Sequence, residues 1–144
     1  MPSPLTEDEK ARVRHHTGYP EMTMAASIQF GVPRPAQLAF LLESAMNQVM
    51  TSAVERIRSI LQILDDIEQK MIDAQCYLVA DKLEELSLAG SSDSQSRLVT
   101  DRFEAEYVRW AERLSDIFGV PLYPFSRRFQ GRTGGRRVGN IRVR

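Results

Sequence analysis

Seven apolar residues repeat at strict heptad spacing in the middle of this chain. Ile57, Ile60, Leu64, Ile67, Met71, Ala74 and Leu78 follow one another at intervals of 3, 4, 3, 4, 3 and 4. An α-helix places such positions on one face, so the segment must pack along its length against other helices. Ile63 widens the stripe beyond a two-stranded seam, which favours a bundle over an isolated coiled coil. A homodimeric coiled coil through Ile57–Leu78 is the structural alternative. The pattern predicts a helix over 52–88, roughly 55 Å long at ~1.5 Å per residue. That length is large for a small domain, and the pattern leaves open a break near Asp81-Lys82.

The rest of the chain fits round this element. Thr6 with Glu9 forms a capping-box pattern, and Glu7, Asp8 and Glu9 suit the positive end of a helix that stops near His16 at Thr17-Gly18-Tyr19-Pro20. A second helix runs from Pro35 to about Met50, with Leu38, Leu41, Leu42, Ala45, Met46 and Val49 as its apolar stripe. Ala89 to Ser94 is a turn, and Ser92 with Gln95 offers another capping pair. The helix after it carries Phe103, Tyr107, Trp110, Leu114 and Ile117, and stops at Phe118-Gly119-Val120-Pro121. The predicted fold class is all-α: a small helical bundle with one long helix. Between the first two helices, Met22, Met24, Ala26, Ile28 and Phe30 alternate with Thr23, Ala25, Ser27 and Gln29. That is a strand period with no convincing partner strand nearby, which suits an extended arm pairing with a neighbouring molecule.

With 144 residues the chain is one domain in size. One cysteine, Cys76, excludes an internal disulfide and a cysteine-rich zinc module. The apolar runs are far shorter than the ~20 residues a membrane span needs. Acids at 7–9 replace the basic and apolar regions of a signal peptide. A soluble protein, with no membrane partner, is expected. Its zero net charge is split between two regions. Residues 1–120 hold twelve basic against nineteen acidic residues, a net −7, whereas 121–144 hold seven arginines and no Asp, Glu or Lys, a net +7. Two regions follow: a helical bundle over 1–120 and a basic, non-globular C-terminal arm over 121–144, too poor in apolar surface to fold by itself. Removing the arm is expected to leave the body folded.

Chemistry-bearing residues are few. His15 and His16 are adjacent, so they point in different directions on a helix. No further ligands stand at zinc spacing, and the pair reads as exposed helix-end histidines. Asp65-Asp66-Glu68 and Glu84-Glu85 read as a solvated face, and Cys76 as a buried, inert thiol. Gly131, Gly134 and Gly135 lack the lysine and hydroxyl of a phosphate loop. No catalytic residue, metal or cofactor is assigned, and no enzyme activity is expected.

The arm is the informative segment. Arg127, Arg128, Arg132, Arg136, Arg137, Arg142 and Arg144 stand among Tyr123, Phe125, Phe129 and glycines. Arginine forks onto carboxylates at protein interfaces, and the alternating Asn140-Ile141-Arg142-Val143-Arg144 suits an added edge strand. The alternative is a nucleic-acid-binding helical protein with an Arg/Gly-rich tail. Seven phosphate contacts would give a log K against log salt slope of about −6. The acidic body weighs against that partner.

In organisation the chain resembles the head-to-tail adaptor (connector or head-completion) proteins of tailed bacteriophages. The strings that carry the resemblance are Leu5-Thr6-Glu7-Asp8-Glu9 with Gly18-Tyr19-Pro20, and Gln29-Phe30-Gly31-Val32-Pro33-Arg34-Pro35. The resemblance implies a ring, usually of twelve copies, below the portal protein in the virion neck. It implies that the loop at 21–35, with Met22, Met24, Ile28, Phe30, Val32 and Arg34, embraces a neighbouring copy. The arm, through Tyr123 to Arg144 including Ile141 and Val143, would dock on the portal. A tail or neck protein would bind below, and genomic DNA would pass through the channel without sequence-specific contact. The unusually long third helix departs from a simple adaptor.

Overall fold

The computed structural model of the protein describes residues 4–21, 36–85 and 93–133, with side chains over 4–21, 38–77 and 98–130. The described residues are all-α. The elements are α1 (Glu7–Thr17), α2 (Ala36–Asn47), α3 (Thr51–Glu85), α4 (Asp93–Phe118) and the short α5 (Arg127–Thr133). No helix among the described residues is long and apolar enough to cross a membrane. The alternating segment at 22–30 and the strand-like 140–144 lie outside the described residues.

The capping box at α1 forms as its residues dictate. Thr6 Oγ1 accepts from the Glu9 amide at 3.2 Å, and Glu9 Oε2 accepts from the Thr6 amide at 2.8 Å. Arg58 of α3 donates to the other Glu9 oxygen at 2.6 Å, tying the cap to the long helix. Gly18 ends α1 in the left-handed region at φ +82°, where a glycine meets no side-chain penalty.

The long helix α3 and α4, joined by only seven residues, pack against each other as the spine of the bundle. Val54, Ile57, Ile60, Leu61, Leu64 and Ile67 of α3 are buried against Tyr107, Val108, Ala111, Leu114 and Phe118 of α4. Leu42 and Met46 of α2 and Val13 of α1 complete the core. The heptad is thus buried through Ile67, while Met71 and Ala74 are half-buried and Leu78 lies outside the described side chains. The helix does not break near Asp81, and α3 continues to Glu85 as one helix of 35 residues. Leu61 shares the fully buried row, which makes the stripe the wide one of a bundle. On α4 the buried seam is turned slightly from the expected one, so Trp110 and Ile117 lie at its margin. The Arg113 guanidinium stands 4.5 Å from the Trp110 ring centroid.

Two expectations are corrected. Cys76 is exposed, because it falls between the stripe positions 74 and 78. The first part of the basic arm is packed on the body. Val120, Tyr123 and Phe129 are buried members of the core, and the Tyr123 amide donates to the Thr17 carbonyl at 3.0 Å. Removing 121–144 therefore strips core side chains, so the body is not expected to survive that deletion intact.

Candidate functional site

The end of α1 is where the chain concentrates its buried polar groups. His16 has 0% of its surface exposed and Thr17 is buried beside it. His16 Nε2 lies 2.7 Å from Asp65 Oδ1 on α3, and Nδ1 lies 2.9 Å from the Tyr107 hydroxyl on α4. Arg128 on α5 donates to the same hydroxyl at 2.9 Å and also to the His15 carbonyl. Arg12 donates to the second Asp65 oxygen. His15 Nε2 lies 2.8 Å from Glu68 Oε1, one helical turn beyond Asp65.

Protonation rules fix the direction of this chain of bonds. An ionised carboxylate only accepts, so a neutral His16 carries its proton on Nε2 and donates to Asp65. Nδ1 then accepts from Tyr107 O–H, whose oxygen accepts from Arg128. Burial holds His16 below the ordinary histidine value, against the pull of Asp65. Burial also pushes Tyr107 up to about 12, with Arg128 opposing the rise. Every buried side-chain nitrogen and oxygen among the described residues has a partner. Chemically the seam is a clamp: both ring nitrogens of His16 are engaged inside the protein, and the ring offers no surface to a substrate.

Round the clamp, the C-terminal segment closes over α1. Tyr19 O–H donates to the Pro121 carbonyl at 2.7 Å, and its ring meets that of Tyr123 at 5.1 Å between centroids. Burial pushes Tyr19 up to about 12. Phe129 packs beside Gly18, so close that a Cβ there would meet its ring at 2.8 Å. An open groove of about 410 Å³ lies alongside, walled by Met71, Gln75, Glu104, Val108 and Arg127.

The structure distributes the expected arm residues unequally. Tyr123 and Phe129 are core, Phe125 is exposed against the Tyr123 ring, Arg127 is exposed on the groove, and Arg128 is committed to the clamp. The side chains of Arg132, Arg136, Arg137, Ile141, Arg142, Val143 and Arg144 lie outside the described residues, as do Met22, Met24, Ile28, Phe30, Val32 and Arg34. The reading of His15-His16 as exposed helix-end residues is corrected for His16, and that of Asp65 and Glu68 as a merely solvated face is corrected for both. Asp65 and Glu68 stand at i and i+3 on α3, a spacing that aims both at one neighbour; that neighbour is 49 residues or more away in sequence, out of reach of local pattern. Compared with known proteins, the chain matches no family model, no curated protein and no solved structure.

Proposed function

We propose that the chain is a structural head-to-tail adaptor of a tailed bacteriophage, a ring-forming subunit docked below the portal in the virion neck. The observation that carries the reading is the pair of apolar surfaces left at opposite ends of the body. Phe40, Leu41 and Met50 are exposed on and after α2, Met50 at 77%. Ile72, Tyr77, Leu98 and Val99 are exposed at the far end of the α3–α4 pair, Tyr77 at 74%. Met50 and Tyr77 are separated by 27 residues, about 40 Å along a helix of ~1.5 Å rise. Unlike surfaces that meet head to tail generate closed rings when the rotation permits. The charge division supports the same reading: an acidic body keeps passing DNA off the channel wall, and an arginine-rich C-terminal segment suits a negatively charged partner.

The loop at 21–35 embraces a neighbouring copy in this scheme, the arm docks on the portal, and the opposite side of the ring receives a tail or neck protein. Because Tyr123 and Phe129 belong to the core and Arg128 to the clamp, the arm proper starts after α5. The test is co-expression with the portal of the same genome, using the full chain and a chain ending at Thr133, followed by electron microscopy. The full chain should form a ring on the portal and the shortened one should not, with its helical circular dichroism unchanged. Docking by the shortened chain would refute the arm assignment. Failure of the full chain to associate, with steeply salt-dependent DNA binding instead, would replace the adaptor reading by the nucleic-acid one.

A further inference from the structure

The geometry points to a Zn²⁺ site at the end of α1, with His15 and His16 of that helix and Glu68 of α3 as its ligands. This inference is independent of the adaptor reading and goes beyond the clamp described above. From sequence the two histidines lack further ligands; the fold supplies them from α3. One donor atom from each of the three residues lies within 4.8 Å of the other two. Donors on a tetrahedral zinc with ~2.0–2.1 Å bonds stand roughly 3.3 Å apart, so the widest separation has to close by up to about 1.5 Å. The side chains that must move are free to do so: His15 is 47% exposed and Glu68 32% exposed. The third, His16, is fully buried with both ring nitrogens bonded, so the ion has to displace the bond between its Nε2 and Asp65. Asp65 Oδ1, 2.7 Å from His16 Nε2, stands within reach as a fourth ligand.

The ligand chemistry selects the ion. Two imidazoles with carboxylate suit zinc, while magnesium and calcium prefer all-oxygen sets. A cation needs the lone pair of an imidazole nitrogen, which the neutral ring supplies. On binding, His15 and Glu68 turn from each other to the ion. The neutral His16 ring has one proton, which moves from Nε2 to Nδ1 by exchange through solvent, so the Nε2 lone pair binds zinc, no net proton is lost and no electron is transferred. The ring then carries a hydrogen on Nδ1, which donates to the Tyr107 oxygen and orients the ligand. Zinc bound there would add a metal bridge to the core packing and ion pairs that already hold α1 on α3.

The test uses the full chain carrying Cys76→Ser, an exposed substitution that removes the one thiol able to compete for zinc. After chelator treatment, ZnCl₂ is titrated by calorimetry and its effect on thermal unfolding is followed by circular dichroism. One zinc per chain is expected, with a Tm rise of about 5–10 °C at a free-zinc excess of ~100 times Kd. His15→Ala and Glu68→Gln, both at partly exposed positions, should each weaken binding about tenfold or more. MgCl₂ should give no shift. The chain has only two histidines, so nitrogen-detected NMR of the imidazoles in the parent chain reads the site without a ligand variant, and both rings should move with zinc. No saturable binding, binding unchanged in both variants, an equal response to magnesium, or zinc binding that leaves either ring unmoved overturns the inference.

Discussion

Replacing Gly18 by alanine tests the closure of the C-terminal segment over α1. Two penalties act at that position. The backbone sits at φ +82°, where a Cβ costs about 1–2 kcal/mol. The added Cβ would also meet Phe129 Cε2 at 2.8 Å and Ser126 Cβ and Oγ at 2.9 Å. Phe129 is a buried core ring and cannot simply swing into solvent, so its displacement is an overpacking event of about 1–3 kcal/mol. Alanine recovers roughly 0.4–1 kcal/mol by stiffening the unfolded chain. The net loss is therefore about 2–4 kcal/mol. Gly119 provides the control, since it ends α4 at φ +67° and a Cβ there would have nothing within 4 Å. Gly119→Ala carries the backbone penalty alone, about 1 kcal/mol or less after the unfolded-state gain. Urea unfolding of the two variants, followed at 222 nm, isolates the contact with α5 as their difference. Combining Gly18→Ala with Phe129→Ala should give less than the sum of the single losses, because the second change removes the obstacle. If Gly18→Ala falls within about 0.5 kcal/mol of Gly119→Ala, the close packing of residues 126–129 on α1 is refuted.

The clamp and the cap give further outcomes. Tyr107→Phe keeps the ring but leaves His16 Nδ1 without its donor and Arg128 without one acceptor, and should lower stability by about 1–3 kcal/mol in metal-free buffer; an unchanged urea midpoint would mean that the hydroxyl bonds contribute nothing. Glu9 is held below the ordinary carboxylate range, first by Arg58 and then by the Thr6 amide. A lowered folded value means that its stabilisation is present above the unfolded value near 4.5 and is lost as pH falls through the folded one. The stability gap between the parent chain and Glu9→Gln should therefore be full at pH 6 and shrink below about pH 4.5. A gap that stays constant across that range would show that charge on Glu9 plays no part in the cap.

How much of this was legible from sequence depends on the range of the interaction. The capping box, the heptad of α3 and the glycine stops are written in residues three or four apart, and they stand where the pattern put them. The clamp is different. His16 meets Tyr107 across 91 residues and Asp65 across 49, and an adjacent histidine pair at a helix end carries no local mark of burial. The arm misled for a compositional reason. Averaged over 121–144, seven arginines and the glycines outweigh a few aromatics, yet Tyr123 and Phe129 individually find room beside Tyr19 and Gly18. The average described the segment's charge and missed two side chains. Cys76 misled through the converse error, since an apolar neighbourhood in sequence did not place it on the buried face.

The closure of residues 121–129 over α1 also sets an order of events during synthesis. The α3–α4 pair is joined by seven residues, so its contacts need only a short loop to close. The bond from Arg128 to the His15 carbonyl spans 113 residues. At translation rates of ~5–20 residues per second, roughly 5–25 s separate the two partners leaving the ribosome. Until α4 emerges His16 lacks the Tyr107 hydroxyl, and until α5 emerges that hydroxyl lacks Arg128 and the end of α1 lacks its cover. A segment made 113 residues later therefore seals the first helix in place.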